Sequence, residues 1–195
     1  RAGAIARFSP AMRAVAGFAA DGGFVLGICN GFQVLCEAGL LPGALRPNES
    51  LSFVCRDVAL RVERSDVPLL TGCEVGQRLT IPVKHGEGCY FADAELLAQL
   101  QADGQIVLRS ASDNPNGSMD DIAGVVNAEG NVMGLMPHPE HAVDPLLGSA
   151  DGAQFNYPMG IALDCNGRIT VGDTRNNVVR EFTLAAPANV ACKPL

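Results

Sequence analysis

Residues 24–35, Phe24-Val25-Leu26-Gly27-Ile28-Cys29-Asn30-Gly31-Phe32-Gln33-Val34-Leu35, decide how this chain folds. The first five form a short continuous apolar run, which suits a strand buried on both faces as in a parallel sheet. Phe32 to Ala38 has helical spacing and stops at Gly39. Between them, Gly27-Ile28-Cys29-Asn30-Gly31 has the form of a nucleophile elbow with cysteine at its apex. A sharp strand-to-helix turn pushes its central side chain out of the sheet, and small flanking residues let the neighbouring segments pass. The following helix start would favour thiolate over thiol and stabilise a developing oxyanion. Taken alone, G-x-C-x-G is loose, and a buried structural cysteine in an ordinary strand–helix turn fits it too.

Upstream, Met12, Val15, Ala16 and Ala19 recur at helical spacing through Ala11–Ala20, ending at Asp21-Gly22-Gly23. Helix, buried strand, tight turn and helix in that order predict an α/β layered fold. Downstream, Ser52–Val62 and Gln77–Lys84 carry β-branched residues and predict strands. Asp93–Ala102 predicts a helix and Gln105–Arg109 a strand; residues 113–118, Asp-Asn-Pro-Asn-Gly-Ser, form a turn cluster. Two further strands, Ile122–Asn127 and Asn131–Met136, flank the hairpin signal Glu129-Gly130. Composition changes near Asp151. Met159–Asp164, Arg168–Val171 and Val178–Leu184 predict a β-meander turned by Asn166-Gly167 and Asn176-Asn177. The expected division is one domain over 1–152 and a short β segment over 153–195.

With 195 residues, 48% hydrophobic and 18% charged, the chain has enough apolar material for a folded core. A net charge of -7 without a Lys/Arg-rich stripe argues against nucleic acid and anionic membranes as partners. No basic segment followed by an apolar core marks a secretory signal, and no apolar run is long enough to span a bilayer. The seven cysteines are odd in number and include no C-x-x-C pair. They are expected to be free thiols in a reducing, cytoplasmic compartment, packed as small hydrophobes except for Cys29.

A thiolate nucleophile needs a base, and the base an orienting group. The three histidines are His85, His138 and His141. Both His138 and His85 follow a strand and have a glutamate two residues on, Glu140 and Glu87 respectively. Spacing alone leaves both pairs open. His141 lacks such a setting and is expected to face solvent.

Residues 27–33, Gly-Ile-Cys-Asn-Gly-Phe-Gln, resemble the nucleophile motif of class I glutamine amidotransferases. Met136-Pro137-His138-Pro139-Glu140 resembles their His/Glu motif. Arg56-Asp57-Val58, His85-Gly86-Glu87-Gly88 and residues 113–118 are similar to the family of glutaminase subunits of phosphoribosylformylglycinamidine synthase. The resemblance runs from about Gly3 to Asp151. It implies a flavodoxin-like parallel-sheet core and a triad of Cys29 as nucleophile, His138 as general base and acid, and Glu140 orienting the imidazole. Gln33 matches the position that helps hold glutamine, and the Asn30 backbone N–H matches one oxyanion donor.

Glutamine would be hydrolysed to glutamate, and the ammonia passed to a synthetase subunit that carries the ATP and magnesium sites. No cofactor or metal is implied in this chain. Two departures accompany the resemblance. The family's first βα units, with a Gly-rich loop supplying a second oxyanion donor, have no counterpart here, and the chain opens at Arg1 without methionine. Losing one such donor costs about 2.7–4 kcal/mol. Residues 157–164 and 169–179 resemble one NHL repeat, a β-propeller unit that needs neighbours to bury its face. Two alternatives follow: an inactive truncated or fused interaction module, or another cysteine hydrolase of the same superfamily.

Overall fold

In the computed structural model, residues 5–155 are described, together with the strand backbones 161–163, 168–173 and 178–183. Contacts divide the chain into two compact units, Arg1–Phe155 and Asn156–Leu195.

The larger unit opens with α1 (Pro10–Ala20), capped by the Ser9 hydroxyl, which accepts from the Met12 N–H. β1 (Val25–Ile28) and α2 (Asn30–Glu37) follow, with the elbow between them. Then come β2 (Ala44–Arg46), β3 (Val54–Val62), β4 (Arg78–His85) and β5 (Cys89–Phe91). The third helix, α3 (Ala94–Ala102), starts at the cap Asp93, whose carboxylate accepts from Leu96 N–H. β6 (Ile106–Ser110), β7 (Ile122–Val126) and β8 (Val132–Leu135) complete the core.

Six strands form one sheet in the order β1-β8-β7-β6-β3-β4. The sheet is mixed: β1 runs parallel to β8, and every other neighbouring pair is antiparallel. Parallel pairing sets Val25 opposite Val132 and Ile28 opposite Leu135, so both strands end on the same side. The residues that follow them, Cys29 and His138, are thereby delivered to one place. The short β2–β5 pair, which the periodicity did not predict, forms a separate ladder.

Two facing glycines set how closely α2 sits on this sheet. Gly27 pairs with Gly134. A Cβ on Gly27 would lie 2.5 Å from Leu35 and 2.7 Å from the Gly31 backbone, and one on Gly134 would lie 2.1 Å from Phe32. Phe32 and Leu35 are the buried residues of α2, and their helix rests directly on bare backbone. Gly31 differs from its expected role, since a Cβ there would meet nothing within 4 Å. Of the two glycines flanking Cys29, only Gly27 needs to lack a Cβ for space.

Among the described residues Cys29, Cys36, Cys55 and Cys89 are free thiols, and Cys73 is buried with its thiol facing Gln154 O. Cys55 departs from the expected burial: it lies on an exposed position of β3. Burial pushes the Cys36 thiol up to about 12, with Glu37 adding to the effect, so it is an inert packing residue. No helix among the described residues is long and apolar enough to cross a membrane.

In the smaller unit, β9 (Ile161–Leu163), β10 (Arg168–Asp173) and β11 (Val178–Thr183) form an antiparallel three-stranded sheet with β10 central. The expected turns at Asn166-Gly167 and Asn176-Asn177 lie outside the described residues, as do the side chains on which the NHL resemblance depends.

Candidate active site

Cys29 sits at φ 52°, ψ -106°, a conformation an L-residue adopts only under constraint. Its N–H donates to Leu135 O at 2.8 Å, and its C=O accepts from Gln33 N–H at 3.2 Å. The elbow is thus pinned by β8 on one side and by the first turn of α2 on the other. Asn30, the first residue of that helix, carries one of the backbone N–H groups that have no intrahelical acceptor.

β4 lies at the opposite end of the strand order from β1, yet the curl of the sheet brings it to the same spot. The Cys29 Sγ lies 3.9 Å from Lys84 O. The His138 N–H donates to Pro82 O at 2.8 Å. Elbow, post-β8 turn and β4 therefore converge on one point.

His138 Nδ1 lies 2.5 Å from Glu140 Oε1. The hydrogen-bonding contact with Cys29 and then that with Glu140 raise the imidazole to about 9 against the opposing effect of burial, so His138 is an imidazolium at neutral pH. That contact from Cys29 reaches the buried His138 Nε2 without ordinary hydrogen-bond geometry. Burial pushes the Glu140 carboxyl up, but the His138 hydrogen bond, a backbone hydrogen bond and the two neighbouring imidazoles outweigh it, leaving the group lowered. Glu140 Oε2 is buried without a partner.

His141 is exposed, as expected, yet it joins the site. Its ring stacks on His138 at 5.0 Å between centroids and 8° between planes. Its Nδ1 lies 3.1 Å from Lys84 Nζ, and its Nε2 lies 3.7 Å from Glu140 Oε1. The adjacency of His141 to Glu140 was the one available sequence signal. Lys84 gave none.

The competing pair, His85 and Glu87, does not form: no ion pair joins them among the described residues. His85 is 3% exposed and inserts against Asn48. Asn48 Oδ1 accepts from Gly88 N–H at 2.9 Å and contacts His85 Nδ1 at 3.1 Å, so Nδ1 is the protonated nitrogen. Desolvation, then the charge of His138, push His85 down to about 4, and it stays neutral. Its role is to tie the 85–88 turn to Asn48, whose Nδ2 also donates to Ser52 O and His85 O.

Gln33 projects from α2 one turn beyond Cys29, and its Nε2 donates to Glu87 O at 2.6 Å. Both residues border a cleft of about 230 Å³ that also touches Arg7, Glu37 and Leu45. Asn30 and Gln33 thus lie on the Cys29 side of the site. Three groups with metal-ligand atoms, on His138, Glu140 and His141, lie within 4.8 Å of one another. The Lys84 ammonium beside His141 and the raised His138 make this a poor cation site.

Residues 2–156 match the family described as the CobB/CobQ-like glutamine amidotransferase domain. This chain belongs to that family. Among similar glutamine amidotransferases is phosphoribosylformylglycinamidine synthase subunit PurQ of Lacticaseibacillus paracasei, 60% identical over 152 residues, which cover 78% of this chain and 66% of the relative. The Salinibacter ruber subunit of the same name is 59% identical over 160 residues, covering 78% and 68%. The solved structure of PurLQS from Thermotoga maritima is similar with a TM-score of 0.70 at 44% identity, covering 79% of this chain and 68% of that one. The amidotransferase chain described here spans about two thirds of the length of the curated relatives it matches.

Proposed function

We propose that this amidotransferase is the glutaminase component of a phosphoribosylformylglycinamidine synthase, with Cys29, His138 and Glu140 as its triad. The observation that carries the reading is the strained elbow cysteine set against an imidazolium that Glu140 holds at 2.5 Å.

Cys29 attacks the side-chain carboxamide carbon of glutamine as a thiolate, its proton already held by the His138 imidazolium. The oxyanion that forms lies near the N-terminus of α2, where the Asn30 N–H is free to donate. His138 returns the proton to the leaving nitrogen, ammonia departs and a thioester remains. Water, deprotonated by the now neutral His138, attacks the thioester carbonyl and releases glutamate and the Cys29 thiol. Glu140 keeps the imidazole in the tautomer that presents Nε2 to sulfur, as in other nucleophile–histidine–carboxylate systems. Gln33, fixed to the 85–88 turn through Glu87 O, borders the cleft in which the amino-acid end of glutamine would lie.

The likeness to named PurQ subunits and to PurLQS supports a synthetase subunit as the acceptor of the ammonia. Among the described residues β1 ends the strand order, and we read its outer side as the seat of the opening βα units that the resemblance implies. The 153–195 segment is read as a single NHL-type repeat, a reading supported by its antiparallel three-stranded pairing. A reducing, cytoplasmic setting fits the free thiols.

The test is peptide mapping after exposure to diazo-oxo-norleucine, a glutamine analogue that alkylates the nucleophile. One adduct on Cys29, blocked by glutamine and lost in His138→Ala, is expected. Labelling of the exposed Cys55 instead, or of no cysteine, refutes the assignment.

A further inference from the structure

We propose that Lys84 and His141 form a positioning arm that holds Glu140, and through it His138, in register with Cys29; the inference rests on the triad reading above.

The carboxylate needs such a hold. Glu140 contacts His138 through Oε1 alone, while its Oε2 is buried and unpartnered. Beyond a backbone hydrogen bond, one side-chain contact holds this carboxylate, and a second limits how far it and the imidazole can turn together. The His141 Nε2 approaches that same Oε1, at 3.7 Å.

The direction of this contact follows from the chemistry of lysine. An ammonium only donates, so His141 Nδ1, 3.1 Å from Lys84 Nζ, is an acceptor and the ring proton sits on Nε2. The N–H dipole of His141 therefore faces the carboxylate. At 3.7 Å it is longer than a hydrogen bond and acts electrostatically. The parallel stack of the two imidazoles, 5.0 Å apart, adds a steric limit on rotation of the His138 ring.

Lys84 links both ends of the triad. Its backbone oxygen faces the Cys29 thiol at 3.9 Å, and its ammonium faces His141. The charged and titratable groups around Glu140 are His138 and His141 on its own turn, and Lys84 and His85 on β4. Cys29 lies at the elbow. Asp151, on the neighbouring turn, spends its carboxylate on the Thr80 N–H at 2.7 Å. His141 is one of the groups that hold the Glu140 carboxyl down. Lys84 and His141 are half-exposed or exposed, so the arm contributes little to stability and its effect falls on rate.

The test uses the full chain with His141→Ala and Lys84→Met, and the conservative variants His141→Gln and Lys84→Arg. Gln keeps an acceptor for Lys84 and a donor for Glu140; Arg keeps the donor. Glutamine hydrolysis and Cys29 labelling are measured against pH, with thermal unfolding alongside. Expected for Ala and Met is a kcat about tenfold lower with KM within twofold, as for lost orientation without lost binding. The acid limb of the pH profile moves upward, the unfolding midpoint is unchanged, and Gln and Arg recover most of the rate. Parent-like kcat and pH profiles in both variants overturn the arm, as does a raised KM at unchanged kcat. A parent chain that does not label at Cys29 instead removes the triad reading and the inference with it.

Discussion

Gly152→Ala tests how the His–Glu pair is placed. Gly152 is buried in the turn that follows the pair, and its N–H donates to Ala142 O at 2.7 Å. A Cβ on it would stand 1.9 Å from Pro139 O, 2.7 Å from Pro139 C and 2.7 Å from Ala142 O. Ordinary contact begins at 3.4 Å, so the Pro139 carbonyl must retreat by about 1.5 Å. Pro139 is rigid and is bonded directly to both His138 and Glu140, so the movement cannot be absorbed without shifting one of them. Overpacking of this kind costs about 1–3 kcal/mol, and a misplacement of about 1 Å in a catalytic group costs roughly a hundredfold in rate. Urea unfolding and the rate of Cys29 labelling by diazo-oxo-norleucine, measured on the same preparation, read both effects. The expected variant is folded, less stable, and about a hundredfold slower to label. A variant within twofold of the parent in rate, with the same unfolding midpoint, would refute the claim that the Gly152 contact places the pair.

Asn48→Ala removes a buried side chain that bonds two carbonyls, the Gly88 N–H and the His85 ring. Leaving those groups unsatisfied is expected to cost about 1–3 kcal/mol or more in chemical unfolding, with the 85–88 amides losing hydrogen-exchange protection. The raised His138 and the lowered Glu140 set a pH dependence of opposite sign at the two ends. The His138 contribution to stability is full below its ordinary 6.5 and is lost as pH rises through about 9. That of Glu140 is present above its ordinary 4.5 and is lost as pH falls through its lower folded value. Thermal unfolding should thus weaken through about 9 in the parent and lose that limb in His138→Gln. Gly17→Ala is the opposite case: it lies inside α1 with nothing within 4 Å of a Cβ, and should gain about 0.5–1 kcal/mol in the same unfolding assay.

Local pattern carried the element assignments where periodicity was strong. Ala11–Ala20 became Pro10–Ala20, Asp93 proved to be a cap rather than the first helical residue, and the Ile122 and Asn131 strands form the expected hairpin. Strand direction was not legible, because a β-branched run looks alike in either kind of ladder; β3 and β4 pair antiparallel, and only β1 with β8 is parallel. β2 and β5, three residues each, are too short to show a period. Cys29, His138 and Glu140 were singled out by motif, and the fold brings them together. Spacing could not separate the two His–Glu pairs, since what distinguishes them is burial against Asn48, far away in sequence. The setting of Lys84 and His141 was not legible for a related reason: each matters only because the sheet curls its last edge onto its first.

The parallel pairing of β1 with β8 also sets the order in which the molecule can assemble. Hairpins such as β7–β8 close over short stretches of chain, whereas Val25 must find Val132 across roughly a hundred intervening residues, with the entropy loss that such a loop entails. Cys29 and His138 meet only once that long-range contact forms. Reactivity at Cys29 should therefore appear among the last signals during refolding and vanish among the first during unfolding, making the nucleophile a reporter of the complete native state rather than of any intermediate.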